Sequence, residues 1–208
     1  MVKPITRTKE IGRPRSFSDE AIYGATARVL ARVGNEHLTL SLIAEEVGCS
    51  PPALVQRFGS KRALLKSYID WSTGQIRDRF EHATDTHDSP LDSLKARVSQ
   101  PRSERPDELT DPEGYPSAVF IHLASWNDEA FRPQVEERRE LVENEIRRLL
   151  VRATEAGEIS GCNEPEMATT LLTAFTGAAL QSIAMPSGLI ENRMAELVDL
   201  ILEPYRVR

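Results

Sequence analysis

The stretch LTLSLIAEEVGCSPPALVQRFGSKRALL, residues 38–65, decides the fold. Leu38 and Ile43 stand at N′ and N4 around Thr39, a hydrophobic staple about an N-cap threonine. Leu40, Ile43, Ala44 and Val47 recur at three- and four-residue spacing, which makes one apolar helix face. Gly48 ends that helix at C′, where a positive φ is cheapest for a residue without a Cβ. Ser50 stands as cap of a second helix, with Pro51 at N1, where a missing N–H costs nothing. Leu54 and Phe58 lie one turn apart and point back at the first helix. Two capped helices about a glycine turn are a helix-turn-helix.

The second helix leaves Pro52, Ala53, Gln56 and Arg57 off its apolar stripe. Small residues near its N-terminus allow close approach of a partner, and Gln56 and Arg57 carry donors for base edges or phosphates. Lys61 opens the next helix with a cation that suits a backbone phosphate. Thr39, Ile43, Ala44, Gly48, Ser50, Leu54, Phe58, Lys61, Leu64 and Leu65 follow in an order and spacing that resembles the DNA-binding motif of the TetR family of transcriptional repressors. Two positions depart from that pattern: the family usually has tyrosine where this chain has Val55, and often threonine where it has Ala53. The specific similarity covers about residues 12–66, under a third of the chain.

The composition agrees with a soluble globular chain: 208 residues, 40% hydrophobic and 28% charged. Cys49 and Cys162 make neither a disulfide framework nor a metal cluster, which fits a reducing cytosol. No leader opens the chain, and the most apolar stretch, Ala168–Met185, carries too many threonines for a membrane span, so the sequence predicts a cytoplasmic protein. Net charge is −6 but unevenly spread: residues 1–66 hold 11 Lys/Arg against 6 Asp/Glu, and residues 67–208 hold 15 against 26. A basic head on an acidic body is the footprint of a local nucleic-acid site.

Before the motif, residues 1–17 read as an extended arm in which Arg13 and Arg15 can reach phosphates or the minor groove. The Gly-Arg-Pro-Arg segment at 12–15 also resembles the arm of many TetR family members. Phe17 and Ile22 staple a first helix around Ser18, and Gly34 stops it. A fourth helix starts near Ser60, runs to about Phe80, and carries too many apolar residues for one narrow stripe, so it links two halves of the protein. From His82 to about Pro116 the chain turns polar and proline-broken, with two helical turns around Leu91–Val98. His82 and His87, with Asp85 and Asp88, suit no single helix face, and a solvated surface is the stronger reading. Helical patterning resumes at Ser117, then over Phe131–Ala156, from Pro165, and after Pro186 and Gly188.

The expected fold is therefore all-α: an N-terminal three-helix DNA-binding domain over residues 1–62 and a C-terminal helical ligand-binding and dimerisation domain over residues 63–208. The candidate DNA-binding residues are Arg13, Arg15, Thr39, Ser50, Pro51, Pro52, Ala53, Gln56, Arg57 and Lys61. Apolar type and position select Trp71, Phe120, His122, Trp126 and Phe175 as candidates for an effector pocket, although a core role with a protein partner is the simpler reading of His122. Gly177, Ala178 and Ala179 allow close helix approach, and the resemblance places a homodimer interface on the two C-terminal helices. No G-x-G-x-x-G, Walker A, H-E-x-x-H or G-x-S-x-G occurs, so neither catalysis nor a cofactor is expected. The resemblance implies a homodimeric repressor that binds a palindromic double-stranded operator and responds to a small molecule. Two alternatives are a helical small-molecule-binding protein or enzyme whose basic head is incidental, and a module whose helix-turn-helix face binds protein.

Overall fold

The computed structural model describes residues 17–99, 114–182 and 189–207. These residues form helices joined by short turns, and the local reasons for each helix are those the sequence suggests. In α1 (Asp19–His37) the Ser18 hydroxyl accepts the Ala21 N–H at 3.1 Å, and Ile22, Ala25 and Val29 are buried. Gly34 leaves helical geometry at φ 71°, as a stop should, but the chain keeps turning to His37 and the Leu38 N–H closes back on the Gly34 carbonyl at 3.1 Å.

The next helix, α2 (Leu40–Val47), is capped by the Thr39 hydroxyl, which accepts the Leu42 N–H at 3.2 Å, while Leu38 and Ile43 close the staple beneath it. Gly48, at φ 80° and ψ 31°, ends it in a left-handed turn in which the Gly48 and Cys49 N–H groups both reach the Ala44 carbonyl. Next comes α3 (Pro51–Phe58). Ser50 holds its cap position without a side-chain bond, contrary to expectation. The reason is local: Pro51 and Pro52 have no N–H to offer, and the first free one, on Ala53, bonds the Ser50 carbonyl at 2.9 Å.

The helix α4 (Lys61–Asp85) begins at a Ser60 cap and runs further than expected, because Phe80 and Ala83 are buried in its last turns. His87 caps its far end, with Nδ1 3.0 Å from the Ala83 carbonyl and 2.9 Å from the Thr86 hydroxyl. The body adds α5 (Pro90–Ser99), α6 (Gly114–Asn127), α7 (Arg132–Glu155), α8 (Glu164–Ser182) and α9 (Leu189–Leu202). Of the broken region expected between His82 and Pro116, only residues 100–113 lie outside the described residues; the remainder belongs to α4, α5 and α6 or to the turn between α4 and α5. The chain end is fastened back on the α7–α8 turn: Ser160 N–H donates to the Tyr205 carbonyl at 2.8 Å, and Val207 N–H to the Glu158 carbonyl at 3.1 Å.

Two apolar clusters fill the molecule. The head cluster joins Ile22, Val29, Leu38, Ile43 and Leu54 to Leu64, Leu65, Tyr68 and Ile69 of α4, and takes in Phe120, Ile121 and Ala124 of α6. The body cluster joins Ile76 and Phe80 of α4 to Leu91, Leu94, Ile146, Leu149, Leu171, Phe175 and Val198. The long apolar helix expected to link two halves does so: α4 enters both clusters. Among the described residues no helix is long and apolar enough to cross a membrane.

Two glycines test this architecture with opposite signs. A Cβ on Gly48 or on Gly74 would meet no atom within 4 Å, but only Gly48 has a positive φ. Gly48→Ala is expected to cost about 1–2 kcal/mol from the left-handed backbone, whereas Gly74→Ala, within α4, should gain about 0.5–1 kcal/mol. Urea midpoints of the two variants give the comparison.

Candidate nucleic-acid interface

The candidate surface is built by burial of one residue. Leu54 is 1% exposed and seats α3 on the head cluster, so Pro51, Pro52, Ala53, Val55, Gln56 and Arg57 are all exposed. Phe58 closes the inner side, half-buried against Tyr23 at a ring separation of 6.1 Å. Tyr23 in turn touches Trp71 at 5.4 Å and Tyr68 at 6.5 Å, so an aromatic cluster ties α1, α3 and α4 together. Burial and the Asp19 carboxylate push the Tyr23 phenol up from its ordinary value.

The outer face of α3 offers the Ser50 hydroxyl, the Gln56 amide and a small-residue edge at Pro52 and Ala53. Gln56 can both donate and accept, the pattern that an adenine edge requires. Thr39 is exposed at the start of α2, with its hydroxyl oxygen already accepting the Leu42 N–H. Arg13 and Arg15 lie outside the described residues.

The two cations chosen from sequence have structural partners. Arg57 donates to the Phe17 carbonyl at 2.6 Å and pairs with Asp19 at 2.7 Å, which fastens α3 to the entry of α1. Lys61 donates to the Asn35 carbonyl at 2.7 Å beyond the Gly34 break, and burial lowers its pKa. Neither pairing is visible in the sequence, because Asp19 and Asn35 lie far along the chain from Arg57 and Lys61. Arg62 is a further cation that the sequence does not single out. It pairs with Asp128 at 2.6 Å, joining the start of α4 to the turn before α7.

The pocket candidates scatter. Trp71 and Phe120 pack in the head cluster, Phe175 in the body cluster, and Trp126 is 89% exposed; the His122 side chain lies outside the described residues. Trp126 follows the apolar run of α6 but sits beyond its packed face, and hydrophobicity alone cannot distinguish the two. Among the described residues, no group of three or more His, Cys, Asp and Glu is placed to hold a metal ion.

Residues 22–68 match the family model of the bacterial regulatory proteins, tetR family. The match spans α1, α2, α3 and the first turns of α4, so this part of the chain is similar to that family's N-terminal domain. The whole fold is also that of TetR-family regulators. The transcriptional regulator of Saccharomonospora viridis solved with choline shares 18% identity over 91% of this chain and 98% of its own, at a TM-score of 0.75. A TetR regulator from Haloarcula marismortui gives 20% identity, 92% and 100% coverage and a TM-score of 0.73. One from Rhodococcus sp. gives 22%, 88% and 97%, with a TM-score of 0.70. Among curated proteins, none matches the chain in sequence.

The contact between α1 and α2 carries a pH dependence. Glu46 accepts from Arg28 at 2.8 Å and Arg32 at 3.2 Å, and the Arg28 hydrogen bond, ahead of the other influences, holds its carboxyl below the ordinary value. A depressed carboxyl stabilises the fold above its unfolded pKa and loses that contribution as pH falls through the folded one. Glu46→Gln should therefore cost about 0.5–1 kcal/mol at neutral pH and nothing in strong acid. Urea unfolding of both proteins in steps from pH 7 down into strong acid checks the convergence.

Proposed function

We propose that this protein is a homodimeric, ligand-responsive repressor that binds a palindromic operator in double-stranded DNA and acts in the cytoplasm by binding, without catalysis. The observation that carries this reading is the exposed Ser50–Gln56 face of α3, held outward by buried Leu54 in a domain similar to that of the TetR family. Residues 1–62 form the reading head and residues 63–208 the ligand-binding and dimerisation body. Each subunit sets α3 in a major groove, with Thr39, Ser50, Pro51, Pro52 and Ala53 at the backbone and Gln56 at a base edge. Arg57 and Lys61 add positive charge near the phosphates while bracing the head internally, and Arg13 and Arg15 extend the contact from the arm.

The dimer is assigned to α8 and α9, where Leu180 and Leu200 are 42% and 67% exposed. Ala178 and Ala179 are buried within the subunit, which leaves Gly177 as the small residue of that trio open to a second helix. The choline complex of a structural neighbour supports a small-molecule site in this fold. A bound effector would shift the balance between DNA-competent and DNA-incompetent arrangements through α4.

Selection of random duplexes by the purified protein tests the central claim: an enriched inverted repeat supports it, and retention without sequence preference overturns it. Gln56→Ala should lose about 1–3 kcal/mol of discrimination at one base position of that repeat. Arg57→Ala and Lys61→Ala should weaken binding to every sequence and flatten its salt dependence; gel-shift affinities unchanged by both would refute the phosphate assignment. Gly177→Arg should shift the protein to monomer in sedimentation while leaving its helical content intact.

A further inference from the structure

The outward face of α3 carries an exposed branched apolar side chain, Val55, at 48% exposure. Its neighbours there are neutral too: Pro52 and Gln56, a turn apart, stand farthest from Leu54, and Ala53 and Val55 flank them. A half-exposed valine adds little packing, and its branched Cβ makes it a poorer helix former than an unbranched residue. The tyrosine usual at this position in the TetR pattern would offer a hydroxyl; Val55 offers hydrocarbon alone. The helix has no acidic residue, and its one cation is committed to the head: Arg57 pairs with Asp19 at 2.7 Å and donates to the Phe17 carbonyl at 2.6 Å. Arg and Lys are the side chains that take guanine O6 and N7 in the major groove. What α3 turns outward for the bases is therefore an amide and methyl groups.

Thymine is the base that rewards such a surface. Its C5 methyl is the apolar group on the floor of the major groove, and apolar side chains read it by contact. Covering that methyl with the Val55 methyls takes apolar surface of both out of water. A guanine or cytosine in its place would set a carbonyl or an amino group against hydrocarbon and leave it without a hydrogen-bond partner. Val55 and Gln56 are consecutive, about 1.5 Å apart along the helix axis. An amide suited to adenine and an isopropyl group suited to thymine thus fall on the same short run of base pairs. We propose that Val55 is a specificity-determining residue that seats a thymine methyl, so that α3 selects A·T pairs in each operator half-site. This deepens the regulator reading above and rests on it, because it supposes that α3 enters the major groove.

The test uses the full-length protein and the inverted repeat that it selects from random duplexes. Thymines of that repeat are replaced by deoxyuridine, one position at a time and symmetrically in both half-sites, which removes the methyl and keeps the base pairing. At one position at least, the replacement should weaken binding about fourfold per half-site, the worth of one buried methyl group. Val55→Ala should weaken the thymine operator by a similar factor and bind the thymine and deoxyuridine forms equally. Val55→Thr, which keeps one methyl, should retain part of the response. Gln56→Ala should leave the deoxyuridine response intact, which separates the two contacts. If Val55→Ala fails to fold, Val55→Thr and the deoxyuridine series still decide. A selected repeat in which no thymine responds to the replacement, or a response as large in Val55→Ala as in the wild type, overturns the assignment of Val55 and leaves the regulator reading standing. Retention of duplexes without sequence preference overturns both.

Discussion

The structure depends on the continuity of a single helix. Over 25 residues, α4 keeps its backbone hydrogen bonds unbroken while its buried side chains change allegiance, from Leu64, Leu65, Tyr68 and Ile69 in the head to Ile76, Phe80 and Ala83 in the body. A helix cannot stretch or shear without losing those bonds, so displacement of one half must be answered by the other. α6 repeats the arrangement on a smaller scale, with Val119 in the body cluster and Phe120, Ile121 and Ala124 in the head. With Val135 of α7 on the head cluster and Leu141 and Ile146 on the body, head and body are joined by shared packing across three helices, and the Arg62–Asp128 pair ties the start of α4 to the turn before α7.

Electrostatics in the head serves two ends. The excess of Lys and Arg in residues 1–66 makes the region attractive to a polyanion, yet several of those cations also hold the domain together. Arg28 and Arg32 fasten α2 to α1 through Glu46, Arg57 fastens α3 to the entry of α1, and Lys61 closes the end of α1 through Asn35. A charge that braces the domain is already positioned by its partner, so its side-chain freedom is spent within the fold. The outward face of α3 is left to neutral and small residues, which suits close contact with base edges.

Between the two clusters lies a polar seam: Arg138 of α7, which is buried, donates to the Ser72 and Thr73 hydroxyls of α4 at 3.3 and 3.5 Å. Apolar packing is non-directional and tolerates small slips, whereas a buried guanidinium demands particular acceptors at particular distances. Placing such a group between two apolar cores puts the directional interaction of the body where the halves meet.

The sequence by itself determined the helices, the helix-turn-helix and its outward face. Caps at Ser18, Thr39 and Ser60, the glycine at 48 and the three- and four-residue spacing of Leu40, Ile43, Ala44 and Val47 act within a turn or two of their own positions. At Ser50 the cap position holds but its hydroxyl bond does not form, since the Ala53 N–H three residues on, the donor that the other caps use, bonds the Ser50 carbonyl instead. Partners tens of residues away could only be set by the tertiary structure: Asp19 and Phe17 for Arg57, Asn35 for Lys61, Ser72 and Thr73 for Arg138. Apolar type alone could not separate Phe120 and Phe175 into different clusters, nor leave Trp126 exposed, because hydrophobicity says that a side chain favours burial without saying against what. Local rules act through covalent neighbours that the chain always holds close, and long-range pairings exist only once the helices have packed.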